Sequence, residues 1–382
     1  MSKKTHVARN ALAVVAAAGM AVTGLTAPAQ AAPTTDAPVA VAKAAAPKVT
    51  TTTRYITSQD KYGTMLFEET NAVENAKGVV VVVHGATEHH SRYDYITKKL
   101  NEAGYTVYRI DNRGHGKSAN PYVNNTIPRG HIDDWHNFVG DIHTLVHMAK
   151  KENPGQNVFL VGHSLGAMAV QSYGIKYPGD VQGIVSTGGG IFINPTTEKN
   201  SQKAERITSP NLTAAEKKAK PNPTTKLPLQ QVTSYQSKLL PLALKDPGNF
   251  TAPSPITSVA PKVYNLAPGK GVCTDRAVAD DYKYDPLINK FMTPGMIQQM
   301  AVGQLYNAFN APTFKEPTLI MHGEADGLMP PYLDDNWLNA ISSKDKTSYL
   351  WTGLMHEIYN EPIKNEPLSL IHISEPTRPE RI

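Results

Sequence analysis

Apolar positions along this chain alternate between two rhythms. Residues 78–83, Gly followed by five valines, form a wholly apolar β-branched run, the pattern of a strand covered on both faces. Beyond it the spacing predicts a helix over 95–103, a strand over 105–111 and a helix over 135–150. In that last helix Trp135, Phe138, Val139, Ile142, Leu145 and Val146 share one face, as a helical period requires. A strand over 158–161, a helix after Ser164 and a strand over 181–186 continue the series. Alternation of this kind builds an α/β fold, a mainly parallel sheet with helices on both faces.

Residues 54–57 and 64–68 predict short strands of an antiparallel start. The alternation breaks after Gly190, where Pro, Asn, Thr and Lys dominate and only short helical patterns occur. It resumes with a strand over 317–321, a helix over 332–341 and a strand over 347–351. The simplest description is a core of residues 53–190 and 295–366, interrupted by an insertion of residues 191–294.

Composition narrows this picture. The chain has 382 residues, enough for one large domain with an insertion. Residues 1–31 have a basic start (Lys3, Lys4, Arg9), an apolar run over 11–22 and a small-residue pattern ending at Ala31, which predicts a secretory signal peptide cleaved after Ala31. The protein is therefore expected to be secreted. Removing the three cations with that segment lowers the formal charge from +5 to +2, and no basic helix or aromatic-basic ladder is present, so nucleic acid is not the expected partner. Residues 32–52, rich in Ala, Pro and Thr, predict a flexible linker. Cys273 is the single cysteine, excluding an intrachain disulfide, and its polar, Gly-rich surroundings suggest an incidental thiol.

The candidate chemistry centres on residues 162–166, Gly-His-Ser-Leu-Gly, placed between a predicted strand and a predicted helix. This is the context of a nucleophile elbow, a strained turn that presents Ser164 and needs glycine on either side. A serine hydroxyl needs a base, and the base needs an orienting carboxylate. Asp326 follows the strand over 317–321 and His356 follows the strand over 347–351, in the order Ser, Asp, His. Glu324 is the alternative acid. His163 is too close in the chain to serve Ser164 as base, and His115 lies in a Gly-rich loop. The backbone N–H groups of Ala86, after the first apolar strand, and of Leu165, after the serine, are the expected oxyanion donors. Glu88, His89 and His90 invite a metal reading, but consecutive histidines are expected to point apart, so neither metal nor cofactor is expected.

Six motifs then carry a resemblance: residues 84–93 (His-Gly-Ala-Thr-Glu-His-His-Ser-Arg-Tyr), 111–118 (Asp-Asn-Arg-Gly-His-Gly-Lys-Ser), the elbow, 282–287 (Tyr-Lys-Tyr-Asp-Pro-Leu), 322–326 (His-Gly-Glu-Ala-Asp) and 355–360 (Met-His-Glu-Ile-Tyr-Asn). Over residues 54–366 the chain resembles the monoacylglycerol lipase and lysophospholipase branch of the α/β-hydrolases, often grouped with the serine aminopeptidases. The resemblance implies that residues 191–294 form a mobile, mostly helical cap with an apolar acyl channel above Ser164, able to touch lipid surfaces transiently. It implies a small lipid-like ester as substrate. The insertion departs from the family in length and in its basic segment 194–230. Residues 368–378 resemble a translated sequencing adaptor, so residues 367–382 are expected to replace the family's final helix. A peptidase or acyltransferase with the same triad, or a non-catalytic binding protein on this scaffold, are the competing readings.

Overall fold

The computed structural model describes residues 47–122, 127–192, 202–221, 229–252, 264–265 and 271–373. The expected signal peptide and most of the expected linker lie outside these residues. The chain enters through an antiparallel pair, β1 (Val49–Thr57) and β2 (Met65–Val73). β1 begins inside the stretch expected to be linker. Its register pairs Val49 with Val73 and Thr57 with Met65, and most of its side chains stay exposed. Main-chain pairing and β-branched threonines suffice for such an edge strand, which has no buried face to mark it in the sequence.

The alternating core follows in β3 (Gly78–Val83), α1 (Asp94–Glu102), β4 (Tyr105–Ile110), α2 (Trp135–Glu152), β5 (Val158–His163), α3 (Leu165–Lys176) and β6 (Gly183–Thr187). Every residue of β3 and β4 is buried, as strands covered on both faces require. Asp134 caps α2 by accepting from the N–H groups of His136 and Asn137, and the anticipated stripe from Trp135 to Val146 is buried.

Then come β7 (Glu205–Ile207), α4 (Ala214–Lys218), α5 (Leu229–Lys245), β8 (Tyr264–Asn265), α6 (Arg276–Tyr284), β9 (Phe291–Met292), α7 (Pro294–Asn310), β10 (Thr318–Gly323), α8 (Tyr332–Ala340), β11 (Lys346–Trp351) and α9 (Asn365–Ile373). Among the described residues the main sheet runs β1-β2-β4-β3-β5-β6-β10-β11-β7, parallel from β4 to β7. The chain order reverses on either side of β3, and an open sheet gathers its site at the strand ends beside such a reversal. β7, from the stretch expected to be inserted, pairs with β11 and so belongs to the sheet.

Two apolar clusters cover the faces. One gathers residues of α2, α3, α7 and α8; the other joins α1, the loop after β11 and α9. α7 has no counterpart in the pattern read from the sequence. Its 17 residues carry no charge and are buried on nearly every side, so they show no amphipathic stripe. It opens on Thr293 and Pro294, a capping hydroxyl followed by a residue preorganised for the first turn. Buried amides fix it in place: Asn307 donates to the Met168 carbonyl of α3 and Gln304 to that of Gly190, in the loop after β6.

α9 corrects the expected loss of a final helix. It extends to Ile373, through the first residues of the suspect tail. Leu368 is buried in the second cluster, and Glu366 accepts from Ser209 Oγ and Asn211 Nδ2. A buried leucine on that helix packs whatever its origin. Residues 374–382 lie outside the described residues.

Candidate active site

β5 runs into α3 through Ser164, whose backbone has φ 53° and ψ −116°. A side chain is seldom tolerated there, and such a residue stores about 1–3 kcal/mol that its surroundings must hold. They hold it through the Ser164 N–H, which donates to the Thr187 carbonyl at 2.8 Å, and through the Met168 N–H, which donates to the Ser164 carbonyl at 3.1 Å. The flanking glycines are required sterically. A β-carbon on Gly162 would lie 2.4 Å from the Gly166 carbonyl oxygen, and one on Gly166 would lie 2.1 Å from that of Val83. Ser164 is half-exposed while Gly162, His163, Leu165 and Gly166 are buried, so the turn offers solvent one side chain.

The loops after β10 and β11 bring Asp326 and His356 together. His356 Nδ1 lies 2.6 Å from Asp326 Oδ2, and Asp326 Oδ1 accepts from the N–H groups of Leu328 (2.7 Å) and Met329 (2.8 Å). Burial alone would raise the Asp326 pKa, but the His356 and His322 rings hold it well below the usual carboxylate range. Burial works against a charged His356, yet the Asp326 carboxylate outweighs it and raises the ring's pKa. With Nδ1 committed to Asp326, Nε2 is the nitrogen left for a substrate-side proton. Glu324 turns away and pairs with Arg206 of β7, so Asp326 alone meets the histidine.

The loop after β3 lies against the elbow: a β-carbon on Gly85 would stand 3.0 Å from Ser164 Cβ. Ala86 follows and is half-exposed, like Ser164. Leu165 heads α3, so its amide is one of the N–H groups a helix start leaves without an intrahelical acceptor.

His89, His90 and Asp111 bring donor atoms within 4.8 Å of one another, correcting the expectation that the consecutive histidines point apart. The 3-10 turn from His90 swings its ring back toward the strand ends. Hydrogen bonds occupy the group: His90 N and Nδ1 each lie 2.7 Å from Asp111 Oδ1, and His89 Nε2 lies 2.8 Å from Asp285 Oδ2. Burial would lower the His90 pKa, but Asp111 and Glu69 raise it to about 9. Burial and the nearby Glu361 carboxylate push the Cys273 thiol pKa up, away from nucleophilic use.

Several residues that matter here had no assigned role in the sequence. His163 packs against His356 with ring centroids 4.5 Å apart. Glu88 accepts from the Gly85 N–H (3.2 Å), Tyr93 Oη (2.7 Å) and Tyr282 Oη (3.1 Å), tying the loop after β3 to α6. Glu357, beside the histidine, is held by both oxygens on Arg92 Nη2 (2.9 and 2.7 Å) and by Tyr282 Oη (2.6 Å). Glu361 accepts from the Met355 N–H at 2.8 Å and from both the N–H and the hydroxyl of Thr274. The Ile363 N–H reaches the Glu216 carboxylate. The signal for these was their place inside the motifs: Glu88, Arg92, Tyr93, Tyr282 and Glu357 all fall within the quoted segments.

Comparison with known proteins decides the family. A family model described as serine aminopeptidase, S33, matches residues 74–363. The chain belongs to this family. Among its relatives, a monoacylglycerol lipase of Mycolicibacterium smegmatis is 29% identical over 287 residues, covering 75% of this chain and 83% of the relative. The monoglyceride lipase of Rattus norvegicus is 31% identical over 292 residues, covering 75% and 77%. Solved structures share the fold. A thermostable carboxyl esterase from Bacillus coagulans gives a TM-score of 0.60 at 21% identity, covering 85% of this chain and 98% of that one. A soluble variant of Saccharomyces cerevisiae monoglyceride lipase gives 0.58 at 18%, covering 85% and 96%. The sheet and its helices are thus an α/β-hydrolase fold, and this member of the serine aminopeptidase S33 family is a carboxylic ester hydrolase.

Proposed function

We propose that this ester hydrolase is a secreted enzyme that cleaves lipid-type esters, monoacylglycerols or lysophospholipids, through an acyl-enzyme on Ser164. The observation that carries the mechanism is the convergence of four strand ends: the strained Ser164 turn after β5, the loop after β3 against it, and the His356–Asp326 pair after β11 and β10. Ser164 Oγ attacks the ester carbonyl carbon while His356 Nε2 takes the hydroxyl proton. The amides of Ala86 and Leu165 stabilise the oxyanion. Collapse breaks the bond to the alcohol oxygen, which leaves with the proton from His356. Water, deprotonated by the same nitrogen, then attacks the acyl carbon and releases the acid.

A lipid-type substrate is supported by the lipase relatives and by an inserted segment that reaches the rim of the site. Asp285 meets His89, and the Asn289 N–H donates to the Thr87 carbonyl at 2.8 Å, so the end of the inserted stretch borders the site, where a cap would lie. Leu242 and Leu244, exposed on α5, are apolar side chains such a cap offers a lipid surface. The expected signal peptide supports secretion.

Ser164→Ala is expected to abolish turnover, on the order of a million-fold by analogy with other triads, with the fold retained. Residual activity within about tenfold of the parent would refute the nucleophile. The family's description as a serine aminopeptidase favours a second reading, cleavage of aminoacyl amides. Rates on monoacylglycerols, lysophospholipids, p-nitrophenyl esters and aminoacyl amides decide between the two: faster turnover of amides than of any ester would overturn the lipid-ester reading.

A further inference from the structure

His356 is not the only histidine on the acid. His322 lies within β10, where its backbone is paired with Leu350 of β11, and its side chain is buried. Nδ1 stands 2.6 Å from Asp334 Oδ2 on α8; Nε2 stands 2.9 Å from the Met329 carbonyl oxygen and 3.1 Å from Asp326 Oδ2. The contacts close a ring. Met329, whose carbonyl faces His322, donates its own N–H to the other oxygen of Asp326.

We propose that His322 is a positioning residue for the acid of the triad: it shares Oδ2 of Asp326 with His356 and, anchored on Asp334, holds that carboxylate in the orientation His356 uses. The proposal rests on the assignment of Ser164, His356 and Asp326 given above. Between Met329 and His356 the carboxylate is gripped at both oxygens, so rotation about its Cβ–Cγ bond would break contacts on two sides. The Leu328 and Met329 amides hold Oδ1, and His322 adds a second contact on Oδ2, the oxygen that His356 uses.

The ring's partners also fix its charge. A carboxylate faces Nδ1, and a carbonyl and a second carboxylate face Nε2, whereas a neutral imidazole has only one N–H to offer. Burial would lower the His322 pKa, but the hydrogen bonds to Asp326 and Asp334 raise it to about 10. The other titratable groups in reach are Asp335, next to Asp334, and the His163 and His356 rings. His322 is thus a fixed cation on the far side of Asp326. Its charge sits on the same carboxylate that promotes protonation of His356, and so counters that promotion.

The test begins with a fluorophosphonate probe on the parent protein. A parent that is not labelled at Ser164 fails the underlying triad assignment. With labelling established, His322→Gln keeps a donor and similar bulk but loses the charge. It is expected to lower kcat by about tenfold or more, the scale on which partners of a site's own ligands act, with KM little changed. The acidic limb of kcat/KM should move to higher pH. A structural role in packing β10 on α8 would lower thermal stability and leave both kcat per labelled site and the limb in place; that result overturns the proposal. Nitrogen-15 NMR of the parent needs no variant to fold. Two protonated ring nitrogens on His322 through pH 8 support the proposal, and a neutral tautomer at pH 7 overturns it.

Discussion

Gly166 lies so tightly beneath the end of β3 that a β-carbon on it would stand 2.1 Å from the Val83 carbonyl oxygen and 2.7 Å from that of His84. Both obstacles are backbone in a fully buried strand end and cannot turn aside. Gly166→Ala must therefore shift α3 or β3, at a cost of about 1–3 kcal/mol or more for an overpacked interior. Urea unfolding should show a lowered midpoint, with turnover reduced in the remaining folded protein. An unchanged midpoint would contradict the contact.

Ser164→Gly should separate activity from stability. Glycine accepts a φ of 53° without strain but is freer in the unfolded chain. The balance favours the variant by about 1 kcal/mol, since strain of about 1–3 kcal/mol is relieved and about 0.5–1 kcal/mol of chain entropy is lost. Calorimetry should find Ser164→Gly inactive yet melting above both the parent and Ser164→Ala, and a lower melting temperature would show the turn to be unstrained.

Two buried imidazolium ions set an alkaline limit on stability. The pKa values of His322 and His90 are raised from 6.5 to about 10 and about 9. The native state holds these protons more tightly than the unfolded chain does. Their contribution is therefore complete below pH 6.5 and is lost as pH rises through 9 to 10. Unfolding free energy should decline across that window, and His90→Gln should flatten its lower part. A level profile from neutral pH upward would mean that neither ring is charged.

Tyr282→Phe removes one hydroxyl from between two carboxylates. That oxygen serves Glu357 at 2.6 Å and Glu88 at 3.1 Å, both buried. Leaving buried acceptors short of a donor costs about 1–3 kcal/mol. Because Glu88 also holds the Gly85 amide and Glu357 adjoins His356, kcat should fall together with the unfolding midpoint. A variant with only one of these effects would show that the network does not link loop order to chemistry.

The sequence made the parallel core legible because fully buried strands and an amphipathic helix carry strong periodic patterns, as in β3 and α2. Ser164, Asp326 and His356 could be singled out because chain order and strand ends restrict such residues to few positions, and the structure brings the last two into contact. β1 and α7 escaped for opposite reasons, the first having no buried face and the second no exposed one. His322 escaped because its partners come from two places, the turn that carries Asp326 and Met329, and helix α8, and no spacing within the chain signals their meeting. Glu361 and Glu216 were hidden in the same way, as acids in unremarkable loops that become acceptors only once distant amides reach them.

The loop that carries His356 is sutured by Glu357 to Tyr282, by Glu361 to Thr274 and by Ile363 to Glu216, three positions that lie between β6 and β10 in the chain. The base thus takes its coordinates from the segment that interrupts the core as much as from the sheet. Exchange of residues 191–294 for the equivalent piece of another hydrolase would cut the contacts that hold the His356 loop. A working chimera would have to bring Glu216, Thr274 and Tyr282 along, which makes the interrupted stretch and the base loop a single unit of inheritance.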